Sequence, residues 1–174
     1  MKGDVQLSEN FWLSEFTRSD IARRKKLPNV PTAEALENLR YLCEAVLQPL
    51  RTALGKVITV SSGYRSKEVN LLAGGVPGSQ HERGEAADIS VKGVSIEELA
   101  RKVFELKLPV DQCIVEYDQN VLHVSIVKPR LQYLSRSRVG ASKKIVYQPF
   151  DPSRKPLKSR RTKAAAVRAL KRRV

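Results

Sequence analysis

The sequence predicts an α+β fold, a small antiparallel sheet with helices packed on it. Helical and strand-like stretches are interspersed along the chain, which suits a mixed fold. Two neighbouring strand-like runs, 112–117 and 121–127, are joined by a short polar turn and read as a hairpin. A hairpin demands antiparallel pairing, and that argues against a doubly wound parallel sheet. A length of 174 residues holds one ordinary domain and a tail.

Taken in order, residues 7–26 read as a short cap, with Ser14 as a helix N-cap and Phe11, Trp12 and Phe16 as its apolar face. Pro28 and Pro31 break that helix. Thr32 then caps the best helix in the chain. Its apolar residues Leu36, Leu39, Leu42, Val46, Leu47 and Leu50 recur at helical spacing, and Gly55 closes it. Pro49 is expected to kink its last turns. Val57 to Val60 reads as a buried strand, and Ser66 can cap a short helix through Leu72. A Gly- and Pro-rich loop, 74–78, precedes a second strand from Ala86 to Val91. Ser95-Ile96-Glu97-Glu98 is a capping box opening a helix to about Lys107. The hairpin follows, then a further strand from Lys144 to Gln148. Residues 1–148 are assigned to the domain and 149–174 to a basic tail expected to be disordered.

Charge is divided unevenly. Residues 128–174 carry 16 Lys and Arg against one acid, whereas residues 1–127 carry 16 against 17 acids. The overall +14 therefore resides in residues 128–174, against a nearly neutral remainder. Residues 154–174 contain no aromatic side chain to stack a base. They suit any anionic partner, from nucleic acid and teichoic acid to lipopolysaccharide and anionic lipid, and equally a solubilising role. No run approaches the ~20 apolar residues of a membrane span. The N-terminus lacks the apolar core of a secretory signal, so synthesis and retention in a cytoplasm are expected. Cys43 and Cys113, the only cysteines, lie in apolar runs and read as core residues.

Chemistry concentrates around the only two histidines. His81 stands in Ser79-Gln80-His81-Glu82-Arg83-Gly84-Glu85-Ala86-Ala87-Asp88, just after the Gly-rich loop. Asp88 opens an apolar strand, where a carboxylate is costly unless a positive partner compensates it; a metal or an arginine would serve. His123 lies between apolar neighbours on the second hairpin strand. Two imidazoles and a carboxylate form a set that suits zinc, with a fourth position left for water.

The pattern Ser79-x-His81-x-x-Gly84-x-Ala86-x-Asp88, followed by Leu122-His123-Val124-Ser125, resembles the zinc D-alanyl-D-alanine carboxypeptidases and phage endolysin peptidases. Their fold is shared with the hedgehog signalling domain. The resemblance runs over about residues 7–135 and takes in 14–19, 47–51 and 61–66. It implies one zinc on His81, Asp88 and His123, and peptides of peptidoglycan as substrates. It implies further that Arg65 faces the substrate and stabilises the developing oxyanion. Ser79 is a candidate donor to the substrate.

Where several members of that family place the catalytic acid, three residues before the second zinc histidine, this chain has Asn120. Glu116 and Asp118 are the alternatives. With Gln119-Asn120 as a two-residue turn, Glu116 would pair with His123 and share its face, which favours Glu116 as general base and acid. A subgroup of the family has a Glu at the matching place of a QxIxE stretch, as in Gln112-Cys113-Ile114-Val115-Glu116. The expected protein is a phage-type or virion-borne lysin acting at the bacterial wall, with the scissile bond left open. Its rivals are an inactive structural or binding module of the same fold and a nucleic-acid- or anionic-polymer-binding virion protein.

Overall fold

The computed structural model describes residues 3–127, 130–139 and 144–154. Among these described residues, six helices and two sheets follow from local signals that mostly act as expected. Strands β1 (Gln6–Ser8) and β2 (Phe11–Trp12) pair as a small antiparallel ribbon ahead of helix α1 (Leu13–Thr17). Phe11 and Phe16 are fully buried and meet edge to face, while Trp12 stays 41% exposed. Ser14 is not the N-cap: it lies inside α1, and its hydroxyl donates to Asp4. Ser19 caps α2 (Asp20–Lys25) instead.

Thr32 caps α3 (Ala33–Leu42) by accepting from the Ala35 N–H at 3.1 Å. The same helical run continues through one π turn, Cys43–Leu47, into α4 (Gln48–Leu54). Pro49 accounts for that turn, because proline offers no N–H and its ring crowds the carbonyl four residues back. Widening the preceding turn to an i→i+5 pattern relieves this without breaking the helix. Gly55, at φ +60°, ends α4 in the left-handed conformation.

Strands β3 (Ile58–Ser62), β4 (Ala86–Val91), β5 (Gln112–Glu116), β6 (Val121–Ser125), β7 (Gln132–Val139) and β8 (Lys144–Pro149) form one sheet in the order β3-β4-β6-β5-β7-β8. Helix α5 (Lys67–Leu72) follows β3. Helix α6 (Ile96–Glu105) follows β4 and opens with the Ser95–Glu98 capping box. The sheet is thus larger than the small antiparallel one expected, and it is mixed: β5 and β7 run parallel. Strand β7 escapes sequence reading because its one buried residue is Arg136, not an apolar side chain. Residues 149–154 belong to the described body, with Phe150 packed on the core and bonded through its N–H to Tyr133. The rest of the basic tail, 155–174, lies outside the described residues.

Strand alternation gives the sheet two faces. Val60, Ala87, Ile89, Cys113, Val115, Leu122 and Val124 point into the core, where Leu39, Leu42, Val46, Leu47, Leu50, Leu99 and Val103 of the helices cover them. Cys43 and Cys113 are buried free thiols in this core. The opposite face carries Asp88, His123, Glu116 and Arg136. No helix among the described residues is long and apolar enough to cross a membrane.

Candidate metal centre

Pairing register brings the site together. Ser62 lies opposite Asp88, Asp88 opposite His123, and His123 opposite Ile114, so one row of side chains crosses β3, β4, β6 and β5 on the same face. An irregularity between Val60 and Ser62 turns Ser62 onto that face although Val60 points to the core. His81 arrives from a single 3-10 turn, Gln80–Arg83, capped by Ser79, whose hydroxyl oxygen accepts from the His81 N–H. Gly84 ends this turn at φ +70°, and a Cβ there would collide with the Ala35 carbonyl of α3. Glycine is required twice over, by the dihedral and by the close approach.

His81, Asp88 and His123 are all buried, and one ligand atom from each lies within 4.8 Å of the others. His81 Nε2 is 3.4 Å from Asp88 Oδ1, and His123 Nδ1 is 2.9 Å from the same oxygen. Two donors on one tetrahedral zinc with bonds of ~2.0–2.1 Å would lie about 3.3 Å apart, so the spacing fits such an ion. The chemistry of the donors fits as well. His81 Nδ1 meets the Gly63 carbonyl at 2.7 Å, and a carbonyl only accepts, so Nδ1 holds the proton and Nε2 presents its lone pair. Arg65 Nη2 binds Asp88 Oδ2 at 2.8 Å, leaving Oδ1 to face the imidazoles. Burial opposes the charge on Asp88, but the protonated forms of His81 and His123 outweigh it and hold the carboxyl well below the usual range.

The segment 61–66 supplies most of this outer support. Ser62 Oγ accepts from Arg65 Nε, and Asn29 clamps the segment by donating to the Tyr64 carbonyl and accepting from the Ser66 N–H. Arg65, expected at the substrate side, is thereby engaged with Asp88, though it still lines the cleft. Ser79 lines the cleft too. Ser62 and Gly63 lie in the 61–66 stretch of the resemblance, but their roles as acceptors were not read from it, because a hydroxyl and a carbonyl acquire such roles only through chain packing.

The hairpin register differs from expectation. Glu116 pairs with Val121 and Ile114 with His123, so the connection is the four-residue turn Tyr117–Asn120 rather than Gln119-Asn120 alone. The shift is two residues. An even shift preserves the face, so Glu116 stays on the side of His123 as a diagonal neighbour. Asn120 is an exposed turn residue at φ +56°, a conformation asparagine tolerates. Asp118, in the same turn, is bound by Arg136 and Arg138.

Glu116 is 9% exposed and lines the cleft. Burial raises its pKa, the nearby Asp88 charge adds to this, and Arg136 opposes it. A cleft of about 990 Å³ contains His81, Asp88, Glu116 and His123. Arg18, Arg83, Arg130, Ile145 and Tyr147 stand along its walls. Such a group of ligands and a carboxylate with raised pKa is what hydrolysis by an activated water requires.

The family model for Peptidase M15 matches residues 9–125, about two thirds of the chain. The chain belongs to the M15 family of zinc D-Ala-D-Ala carboxypeptidases. No curated protein matches it. The matched span contains His81, Asp88, Glu116 and His123, and it ends before β7 and β8. For an M15 chain, the sheet is therefore extended by two strands beyond the part its family model describes.

Proposed function

We propose that this M15 chain is a zinc-dependent peptidase of bacterial peptidoglycan, of the phage endolysin or virion-associated lysin type. The observation that carries this reading is the convergence of His81, Asp88 and His123 on one point in a cleft, with Glu116 on the same sheet face. Zinc held by these three residues would polarise the scissile carbonyl and lower the pKa of a water toward ~7. Glu116 takes a proton from the attacking water as the C–O bond forms. It then delivers that proton to the amine nitrogen as the C–N bond breaks. Arg65 keeps Asp88 in its ligating orientation and presents its remaining donors to the oxyanion. The Ser79 hydroxyl oxygen accepts from the loop, so its proton is available to a substrate carbonyl.

The cleft walls favour a carboxylate-rich substrate. Arg18 adds a positive charge to these walls, beside Arg83 and Arg130, whose charges are matched by Glu85 and Asp111, and peptidoglycan stem peptides carry several carboxylates. The basic segment 155–174 is proposed to hold the enzyme on anionic polymer, nucleic acid in a virion or teichoic acid at the wall. Digestion of purified muropeptides, followed by mass spectrometry, tests the reading and identifies the bond cut. The expected result is loss of activity with metal removal and recovery with zinc. Intact muropeptides with fully zinc-loaded protein would favour an inactive module of the hedgehog type instead.

A further inference from the structure

Glu116 is held by one oxygen only. Arg136 Nη1 donates to its Oε2 at 2.8 Å, and Gln119 Nε2 donates to the same Oε2 at 2.7 Å. Oε1 has no side-chain or backbone partner among the described residues, and it is not sealed from the cleft. The carboxylate is thus made unequal, with one oxygen anchored and the other available.

Arg136 is itself fixed. It is 7% exposed, pairs opposite Glu116 in the parallel β5–β7 register, and its Nη1 also meets Asp118 at 3.1 Å. Arg138 supplies a second cation to Asp118, so the acid of the turn is neutralised without drawing Arg136 away from Glu116. The register places Val121, Glu116, Arg136 and Tyr147 in one row across β6, β5, β7 and β8. Arg136 comes from a strand outside the family match, which stops at residue 125.

We infer that Arg136, assisted by Gln119, is a positioning residue that pins Glu116 by Oε2 and leaves Oε1 as the oxygen that exchanges protons with water and the leaving amine. This rests on the assignment of Glu116 as base and acid. In this role Arg136, although it borders the cleft, acts through Glu116, by fixing where Oε1 points. A carboxylate free to rotate would often present the wrong oxygen or the wrong distance, and misplacement of ~1 Å costs on the order of 10²-fold.

The test is a double-mutant cycle on soluble muropeptide with the full-length zinc-loaded enzyme. Arg136→Gln should lower kcat by about 10–100-fold with KM and zinc content unchanged. In a Glu116→Gln background the same change should cost less than about threefold, because the group it positions has lost its function. Gln119→Ala, in an exposed turn that cannot unfold the sheet, should show a smaller loss with the same dependence on Glu116. Should Arg136→Gln fail to fold, Arg136→Lys and Gln119→Ala carry the cycle. An equal loss in both backgrounds, or a rise in KM alone, would overturn the inference while leaving Glu116 in place. A Glu116→Gln enzyme of wild-type rate would overturn the assignment of Glu116 itself, and this inference with it.

Discussion

Glu116 and Asp118 are two residues apart, yet the hairpin gives them different work. Glu116 faces the cleft with an unpaired oxygen, whereas Asp118 is occupied by two arginines. Glu116→Gln is therefore expected to lower kcat by ~10²–10⁴ with zinc content unchanged. Asp118→Asn should cost much less, and a stopped assay on muropeptides ranks the two. His81→Ala should abolish stoichiometric zinc binding, read by elemental analysis. Full occupancy in that variant would remove His81 from the ligand set. The His81 and Asp88 assignments were legible as residue types in a motif. Which nitrogen of His81 is free was not, because the Gly63 carbonyl that decides it is 18 residues away.

Among the elements, the 3-10 turn carrying His81 depends on its neighbour α3. Gly84→Ala must adopt φ +70° and also displace the Ala35 backbone, whereas Gly55→Ala, at φ +60°, meets nothing within 4 Å. The dihedral alone costs roughly 1–2 kcal/mol for a non-glycine residue. Gly55→Ala should lose about that in urea denaturation, and Gly84→Ala clearly more, with weakened zinc affinity as well. Equal losses would mean that the approach of α3 is not tight. The capping signals at Thr32 and Ser95 were read correctly because a cap is a contact between residues three apart. Ser14 misled for the opposite reason: its hydroxyl is taken by Asp4. Strand β7 went unread because a strand whose one buried residue is Arg136 lacks the apolar alternation by which strands are recognised.

Across the whole molecule, acid stability should report on the pair that ties the two ends of the cleft wall. Asp111 is 3% exposed, and Arg130 and Gln80 both donate to it. The hydrogen bond from Arg130 holds its carboxyl below the usual value, with burial opposing. A lowered carboxyl contributes stability above its unfolded value of ~3.9 and loses it as pH falls through the folded value. The urea midpoint should therefore fall between about pH 4 and the acid limit, and less steeply in Asp111→Asn. Truncation after Arg154 removes nine Lys and Arg and no acid. It spares the Arg101 bond to the Arg154 carbonyl. Thermal stability and muropeptide hydrolysis should persist, while retention on an anionic column should weaken, most at low salt. A fall in melting temperature would show that these residues also brace the domain.

By itself the sequence determined the α+β class, the helix starts at Thr32 and Ser95, the stop at Gly55 and the grouping of His81, Asp88 and His123 as residues able to hold a metal. Each of these is written in residue types at short spacing, so chain-local physics suffices. Only the tertiary structure decided the mixed six-stranded sheet, the two-residue shift in hairpin register and the arrival of Arg136 beside Glu116. Those depend on which strand lies next to which and at what offset. The free-energy difference between such arrangements comes from side-chain packing and ion pairing across distant segments, of which no local pattern keeps a record.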